Sequence, residues 1–302
     1  MNGTAHHEQA GVERPSLYVV ATPIGNLADI TLRALEVLKR VDAIAAEDTR
    51  ITMRLLRHYG VSAPLIALHE HNERHAAQKI LQLLAQGKSV ALVSDAGTPA
   101  ISDPGAVAVA RVREAGYPVV PVPGANAAMA ALAAAGSAAP HFLFYGFLPQ
   151  AAAARRRELA ALKACPYLLV FYEAPHRVIA SVADMAAAFG AGRTVTIARE
   201  LTKLFESIHT CNLGTAAAWL AADANRTKGE FVLLVEGAPE AAATDAGAAH
   251  GALEILLREL PLKQAVKLAA QIGGGRRNEL YQLALEMKKA VNHQSPITDY
   301  SS

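Results

Sequence analysis

Short apolar runs alternate with longer stretches of helical periodicity along most of this chain. In the first half, the apolar runs lie at residues 17–21, 43–46, 65–68, 90–93 and 119–122, and the helical stretches at 32–38, 53–59, 76–84, 107–115 and 127–135. A strand, a helix and a strand at this spacing predict parallel strands joined by crossover helices. The first half is therefore expected to form an α/β layer domain.

A second series of apolar runs and helical stretches follows. Its strands are expected near 142–147, 167–171, 195–198 and 231–235, and its helices near 155–163, 177–189 and 215–222. Gly, Ser and Pro cluster between the two series at 135–140, which favours a boundary there. We therefore expect two α/β domains, residues 17–136 and 137–240, with a cleft between them, since domain interfaces are preferred ligand sites.

Composition excludes several classes of protein. The 302 residues suffice for about two domains, and 52% apolar with 19% charged residues excludes a disordered chain. A net charge of +2 excludes a strongly basic coat for nucleic acid but leaves room for a local patch. Cys165 and Cys211 lie too far apart in sequence for a disulfide framework or a CxxC metal knuckle. A reduced, cytoplasmic setting fits best.

Two segments were candidates for a signal peptide or a membrane span, and neither has the required sequence. Residues 1–16 are polar without an apolar core, so they are expected to be a disordered tail and not a signal peptide. Residues 117–154 contain no Lys, Arg, Asp or Glu, but prolines and glycines interrupt them repeatedly. A spanning helix needs about 20 continuous apolar residues, so no membrane association is expected.

The C-terminal region carries the chain's excess positive charge. After an Ala- and Gly-rich linker at 241–252, helices are expected at 254–260, 263–271 and 278–287, within a helix-turn-helix-like module at 253–290 and before a tail at 291–302. Residues 251–290 hold seven Lys or Arg and four Asp or Glu, while residues 1–250 hold 22 of each. The basic residues Lys263, Lys267, Arg276 and Arg277 bracket the turn, which favours phosphate contact. A helical cap on the second domain is the alternative.

Three loops rich in proline and glycine follow strands of the first half. They are residues 21–27 with Pro23 and Gly25, residues 94–105 with Asp95 and Gly97, and residues 121–127 with Gly124. Open α/β sheets bind ligands at the carboxyl ends of their strands, so the loops indicate one crevice. A ligand with an adenine, a ribose and an amino-acid end would satisfy their free backbone groups. No GxGxxG, GxxxxGK[ST] or GxSxG is present, which excludes the usual dinucleotide, P-loop and hydrolase sites.

Charged clusters also follow the strands. Glu47 and Asp48, with Arg50 two positions on, suit general-base work on a hydroxyl, with a helix N-terminus as the alternative. Arg177, Arg199 and Lys203 lie where strands of the second half end and are candidates for phosphate contact, or else a solvated rim. The histidines at 69, 71 and 75 do not form HExxH, so no metal site is predicted.

The segments TPIGNL, AEDTR, HEHNE, SDAGTPAISDPG, VPGANA, FYEAPHR, ARELTK and GEFVLLVEG occur in this order. Together they resemble the tetrapyrrole-methylase superfamily and, within it, the ribosomal RNA small subunit methyltransferase I family. The similarity spans residues 17–237, and PLKQAVK with NELY resembles that family's C-terminal helix-turn-helix. Methylases of the same fold that act on a precorrin- or uroporphyrinogen-type tetrapyrrole, or on a translation factor, remain the alternative. A helix-turn-helix DNA regulator whose front part senses a ligand is a further one.

The resemblance implies S-adenosylmethionine in a cleft between two α/β domains, in a cytoplasmic homodimer. It also implies methylation of the 2′-hydroxyl of cytidine 1402 in 16S rRNA of the 30S subunit. The residues that match cofactor positions are Pro23, Gly25, Asp95, Gly97, Thr98, Ile101, Gly124, Ala125, Tyr172, Ala198 and Phe231. For this reaction, Asp48 or Glu47 is expected to take the proton of the ribose hydroxyl. Arg50, Arg177 and Lys203 are expected to hold the flanking phosphates.

Overall fold

The computed structural model describes residues 15–239, 246–273 and 277–292. The chain divides into two compact units. The first consists of the described residues up to 156 together with 168–236, so it holds the expected first half and most of the expected second half. The second consists of residues 157–167 together with those from 237 onward.

The first sheet is a parallel sheet of five strands in the order β3-β2-β4-β1-β5. Its strands are β1 (Leu17–Val20), β2 (Ala43–Ala46), β3 (Leu65–Ala67), β4 (Val90–Val93) and β5 (Val119–Val122). The predicted parallel arrangement is confirmed for this half. Strands β2 and β4 lie inside the sheet and are buried along their whole length, which explains their continuous apolar sequence.

Helices cover both faces of this sheet. They are α1 (Leu32–Arg40), α2 (Thr49–His58), α3 (Glu73–Ala85) and α4 (Ala106–Glu114). Apolar side chains of α1 and α2 pack on one face, and those of α3 and α4 pack on the other. Helix α2 begins four residues before the expected helical stretch because Asp48 caps its N-terminus.

The second sheet has the order β6-β7-β10-β8-β9 and is mixed. Its strands are β6 (Phe142–Phe147), β7 (Leu168–Glu173), β8 (Thr194–Arg199), β9 (Ser207–Asn212) and β10 (Phe231–Val235). Only β6 and β7 are parallel, since β10 runs antiparallel to both neighbours and β9 antiparallel to β8. The second sheet is therefore not parallel throughout, in contrast to the first. A short connection joins β8 to β9, too short for a crossover helix.

The helices that follow β6, β7 and β9 are α6 (Ala152–Ala161), α7 (Val178–Phe189) and α8 (Leu213–Ala221), and residues 157–161 of α6 belong to the second unit. The alanine-rich helix α5 (Ala127–Ala135) closes the first half and packs against the second sheet. Its Ala128 and Ala131 are buried together with Val170, Val232 and Leu234 of that sheet. Its small side chains therefore let the helix lie close to the sheet.

The described residues of the second unit from 246 onward form the helices α9 (Ala246–Glu259), α10 (Leu262–Gly273) and α11 (Arg277–Asn292). Helix α9 begins inside the stretch expected to be a linker. The three helices share an apolar core that includes Leu253, Val266 and Leu280. Lys263, Lys267 and Arg277 are exposed, and Arg276 lies outside the described residues. No helix in the described part of the chain is long and apolar enough to span a membrane.

Candidate active site

A cavity of about 340 Å³ opens where the strands of the first sheet end, and residues of both sheets line it. Because β1, β2, β4 and β5 are parallel, the loops that follow them meet at one edge. From the first half the cavity is lined by Ile24, Glu47, residues 95–98, Ile101, Asp103, Asn126 and Ala127. From the second half it is lined by Phe147, residues 172–175, Leu201 and residues 230–232.

The loop after β4 is held in an unusual backbone conformation. Gly97 has φ +83°, and the non-glycine residues Ala100 and Ser102 both have φ +65°. Residues other than glycine rarely adopt a positive φ, so contacts with the surrounding structure must hold the loop in this conformation. One such contact is a pair of backbone hydrogen bonds between Thr22 and Gly97, of 2.9 and 3.0 Å. The loop is therefore fixed against the loop after β1 before any ligand arrives.

Two further hydrogen bonds tie the walls of the cavity together. The Thr98 hydroxyl donates to the carbonyl of Ala125 at 3.2 Å. The Tyr172 hydroxyl accepts from the backbone N–H of Ala128 at 3.2 Å, which links the second sheet to α5. Burial raises the pKa of Tyr172. Phe147 lies beside the Tyr172 ring, with centroids 5.5 Å apart, and adds a second aromatic surface.

Five acidic residues line this cavity, and two of them are paired with cations: Glu173 with Arg177, and Glu230 with Lys203. The other three, Glu47, Asp95 and Asp103, make the cavity acidic. Burial raises the pKa of Asp103 to about 6, and the neighbouring Glu47 adds to the effect. Burial likewise raises the pKa values of Glu47 and Asp95. A positively charged ligand would relieve the repulsion between these groups and favour their ionised forms.

Asp48 lies next to these acids but has a different environment. Its carboxylate accepts hydrogen bonds from the backbone N–H of Arg50 at 2.8 Å and from the Arg50 guanidinium at 2.6 and 3.0 Å. The side-chain hydrogen bonds from Arg50 lower the pKa of Asp48 to about 2. The backbone N–H of Asp48 donates to the Asp95 carboxylate at 2.9 Å, and that of Asp95 to Glu47 at 3.4 Å. These residues therefore form one connected group, with Glu47 on the cavity wall and Asp48 capping α2.

Two depressions adjoin the cavity. The second depression, of about 550 Å³, is lined by residues that include Pro23, Gly25, Arg54 and Lys203. The third depression, of about 590 Å³, is lined by Asp48, Arg50, Ile51, Met53, Arg54 and Arg57. Asp95 and Ala96 line both the cavity and the second depression, and Ile51 and Arg54 line both the second and the third. The three hollows are thus neighbours along one surface.

The structure brings most of the cofactor candidates to these hollows. Those on the cavity wall are Asp95, Gly97, Thr98, Ile101, Tyr172 and Phe231, while Pro23 and Gly25 line the second depression. Gly124, Ala125 and Ala198 lie behind the wall. A Cβ at Gly124 would come within 2.9 Å of the Ala21 side chain, so this glycine allows two loops to pack closely. Ala198 is buried in the core between α5 and the second sheet.

Two basic candidates are paired with carboxylates. Arg177 is nearly buried and donates to Glu173, whose side chain has no exposed area, at 2.8 Å. Lys203 donates to Glu200 at 2.8 Å and to Glu230 at 3.0 Å. Burial lowers the pKa of Lys203, but these hydrogen bonds outweigh it, so the net pKa is raised. Neither residue carries an uncompensated charge.

Several residues that line the cavity were not predicted from the sequence. Asp103 and Phe147 are the most informative, since they add a carboxylate and an aromatic wall. Asp103 lies within the 94–105 loop, so its position after Ser102 was an available signal. Phe147 ends a strand of the second half, and nothing in the sequence shows that it turns toward the first-half loops. Within the described residues, no group of three His, Cys, Asp or Glu side chains could hold a metal ion.

Two family models match most of the chain. The family model for tetrapyrrole (corrin/porphyrin) methylases matches residues 16–217, and the model for the RsmI C-terminal HTH domain matches residues 243–288. A crystal structure of uroporphyrin-III C-methyl transferase from Thermus thermophilus, complexed with S-adenyl homocysteine, is similar in fold. Its TM-score is 0.53 at 15% identity, covering 73% of this chain and 97% of that one.

Two curated relatives are much more similar in sequence. Both are named ribosomal RNA small subunit methyltransferase I. The protein from Escherichia coli O157:H7 is 51% identical over 93% of this chain and 99% of its own length. The protein from Pseudomonas aeruginosa is 51% identical over 90% of this chain and 97% of its own length. The chain therefore belongs to the tetrapyrrole methylases and, within them, to the ribosomal RNA small subunit methyltransferase I family.

Proposed function

We propose that this protein is an S-adenosylmethionine-dependent methyltransferase of ribosomal RNA, which methylates the ribose 2′-hydroxyl of cytidine 1402 of 16S rRNA in the 30S subunit. The observation that carries the proposal is the 51% identity, over nine-tenths of the chain, to relatives that bear the rRNA methyltransferase name. The acidic cavity, built by the loops that carry the family motifs, supports it independently.

The chemistry of the cavity fits S-adenosylmethionine. Its volume of about 340 Å³ lies within the range for small-molecule sites. Glu47, Asp95 and Asp103 supply negative charge for a ligand that bears a sulfonium and an ammonium group. Phe147 and Tyr172 supply an aromatic wall for its adenine ring. Gly124, Ala125 and Ala198 do not line the cavity, and we propose that they support its wall through packing.

The residues of this chain act mainly by positioning the reactants. S-adenosylmethionine, when bound, supplies a methyl group on a positively charged sulfur, and the hydroxyl oxygen displaces that sulfur in line. Alignment of two reactants contributes about 7–11 kcal/mol to such a reaction. The fixed 94–105 loop holds one side of the cavity, and the second depression, which shares Asp95 and Ala96 with it, receives the ribose.

A ribose hydroxyl is a poor nucleophile, so a base that takes its proton accelerates the step. We assign this role to Glu47, whose carboxylate faces the cavity and whose pKa is raised by burial. Asp48, with a pKa of about 2, is a weak proton acceptor, and we assign it to holding Arg50 and the start of α2. When the oxygen–carbon bond forms and the carbon–sulfur bond breaks, the hydroxyl proton passes to Glu47.

The exposed basic residues Lys263, Lys267 and Arg277 of the second unit are proposed to contact rRNA phosphates, together with Arg276. Arg177 and Lys203 are assigned to holding the site's acidic residues, given their ion pairs. The proposal includes a homodimer in the cytoplasm. Light scattering of the purified protein tests the dimer, which requires about twice the 31.8 kDa chain mass.

The direct test is methyl transfer from labelled S-adenosylmethionine to unmodified 30S subunits, followed by mapping of the label on 16S rRNA. A methyl group on the ribose makes the adjacent phosphodiester resistant to alkali, because the 2′-hydroxyl that attacks the phosphate is gone. We expect one alkali-resistant linkage, after the target cytidine. Label on a base, on a ribosomal protein or on an added tetrapyrrole instead would contradict the proposal, and the last result would favour the tetrapyrrole alternative.

A further inference from the structure

We propose that helix α2 is a docking surface for the RNA strand, on which Arg54 and Arg57 bind backbone phosphates next to the target nucleotide. This inference rests on the proposed function and deepens it, since it gives the substrate strand a direction across the protein. The strand would run from the second depression, which holds the target ribose, into the third depression, which holds the adjoining phosphates.

The position of the arginines on α2 supports this surface. At 100° per residue, Arg50, Arg54 and Arg57 fall within about 60° of one another around the helix. Thr52 and Leu56 face the opposite side and are buried in the domain. The helix therefore turns one side to the core and presents a row of guanidinium groups on the other.

The three arginines on this side of α2 differ in whether a carboxylate neutralises them. The Arg50 guanidinium is bound to the Asp48 carboxylate and is neutralised by it. Arg54 and Arg57 are exposed and form no ion pair with any described residue. Two uncompensated positive charges therefore lie side by side in the third depression, whose only carboxylate, among the described lining residues, is that of Asp48.

The hollows connect these charges to the reaction site. Arg54 lines both the second and the third depressions, and Asp95 lines both the second depression and the cavity. A chain of shared residues thus leads from the proposed base to the free arginines. We therefore expect a nucleotide whose ribose lies in the second depression to extend its neighbouring phosphates toward Arg54 and Arg57. Guanidinium groups bind phosphate oxygens in pairs of parallel hydrogen bonds, so arginine suits this task.

The test compares the full-length wild type with the double variant Arg54→Ala/Arg57→Ala. Binding of 30S subunits and of a single-stranded RNA with the target sequence is measured over a salt series, and methyl transfer is measured in parallel. We expect at least a tenfold weaker affinity for RNA and a salt dependence shallower by about one per arginine removed. The affinity for S-adenosylmethionine should stay within twofold, because neither arginine lines the cavity.

Two controls keep the result interpretable. Arg111→Ala/Arg113→Ala removes the same charge from α4, on the opposite face of the first sheet, and should leave RNA affinity within twofold. Arg54→Lys/Arg57→Lys retains the charge and should recover most of the salt dependence. If the alanine pair on α2 behaves like the pair on α4, the inference is wrong. If the wild type binds RNA through α2 but transfers no methyl group, the proposed function fails while the docking surface stands.

Discussion

Replacing Glu47 with Gln and, separately, Asp48 with Asn tests which carboxylate accepts the proton. Both changes remove a charge while keeping shape. Gln at 47 still offers an oxygen to the backbone N–H of Asp95, and Asn at 48 still caps α2 through the N–H of Arg50. The protein should therefore stay folded in both variants, and a difference between them reports on chemistry.

The structure sets the expected size of that difference. The pKa of Asp48 is about 2, whereas that of Glu47 is raised above 4.5. A higher pKa means a higher affinity for a proton, so Glu47 is the stronger proton acceptor of the two. General-base catalysis contributes about 10²–10⁴ to a rate. We expect Glu47→Gln to lower kcat at least 100-fold and Asp48→Asn to lower it less than tenfold.

The assay is single-turnover methyl transfer to saturating 30S subunits, with S-adenosylmethionine binding measured by calorimetry. Only the ionised carboxylate accepts a proton, so kcat of the wild type should rise with pH through the pKa of Glu47. The Glu47→Gln variant should lack this rise. A loss for Asp48→Asn equal to that for Glu47→Gln, or a Glu47→Gln rate within threefold of wild type, would refute the assignment.

The remaining predictions concern binding, stability and the second unit. Because Asp103 has a pKa of about 6 and a bound cation favours its ionised form, affinity for S-adenosylmethionine should fall as pH drops through 6, and calorimetry should show a flatter profile for Asp103→Asn. Glu173→Gln leaves the nearly buried guanidinium of Arg177 without its carboxylate and should lower the free energy of unfolding, measured with urea, by about 3–5 kcal/mol. Lys263→Ala/Lys267→Ala should weaken 30S binding but leave cofactor affinity unchanged, as filter binding would reveal.

The first sheet could be predicted almost residue by residue. Strands β2 and β4 read as unbroken apolar runs because both faces of a central parallel strand are buried, and the structure confirms their bounds. The loops after the strands were identified by their proline and glycine content, and the ends of parallel strands bring them to one edge of the sheet. The resemblance to a known family agreed with these loops and was confirmed by the comparisons.

The second sheet was harder to predict because its information is not local. Strand β9 alternates exposed and partly buried residues at an edge, so its sequence SIHTCN carries no apolar run. The antiparallel direction of β10 depends on pairing with β7 and β8, which lie far from it in sequence. Apolar content alone does not specify strand direction.

The electrostatics of the site also depended on long-range contacts. Lys203 looked like a free phosphate ligand in sequence, yet it pairs with Glu230, which lies 27 residues away. Glu47 and Asp48 looked equivalent as bases, and only burial of the first and the contact of the second with Arg50 separate them. The uncompensated charges of Arg54 and Arg57 could not be predicted from sequence either, because only the structure shows that their neighbour Arg50 is the one bound to Asp48.

A crystal structure with bound S-adenosylhomocysteine tests the central claim most directly. The claim requires the ligand to lie between the 94–105 loop and the second sheet, with its amino-acid end near Asp95 or Asp103 and its sulfur turned toward the second depression. That placement leaves room for a ribose beside Glu47. Electron density for the ligand elsewhere, or with its sulfur turned away from Asp95 and Ala96, would contradict the account.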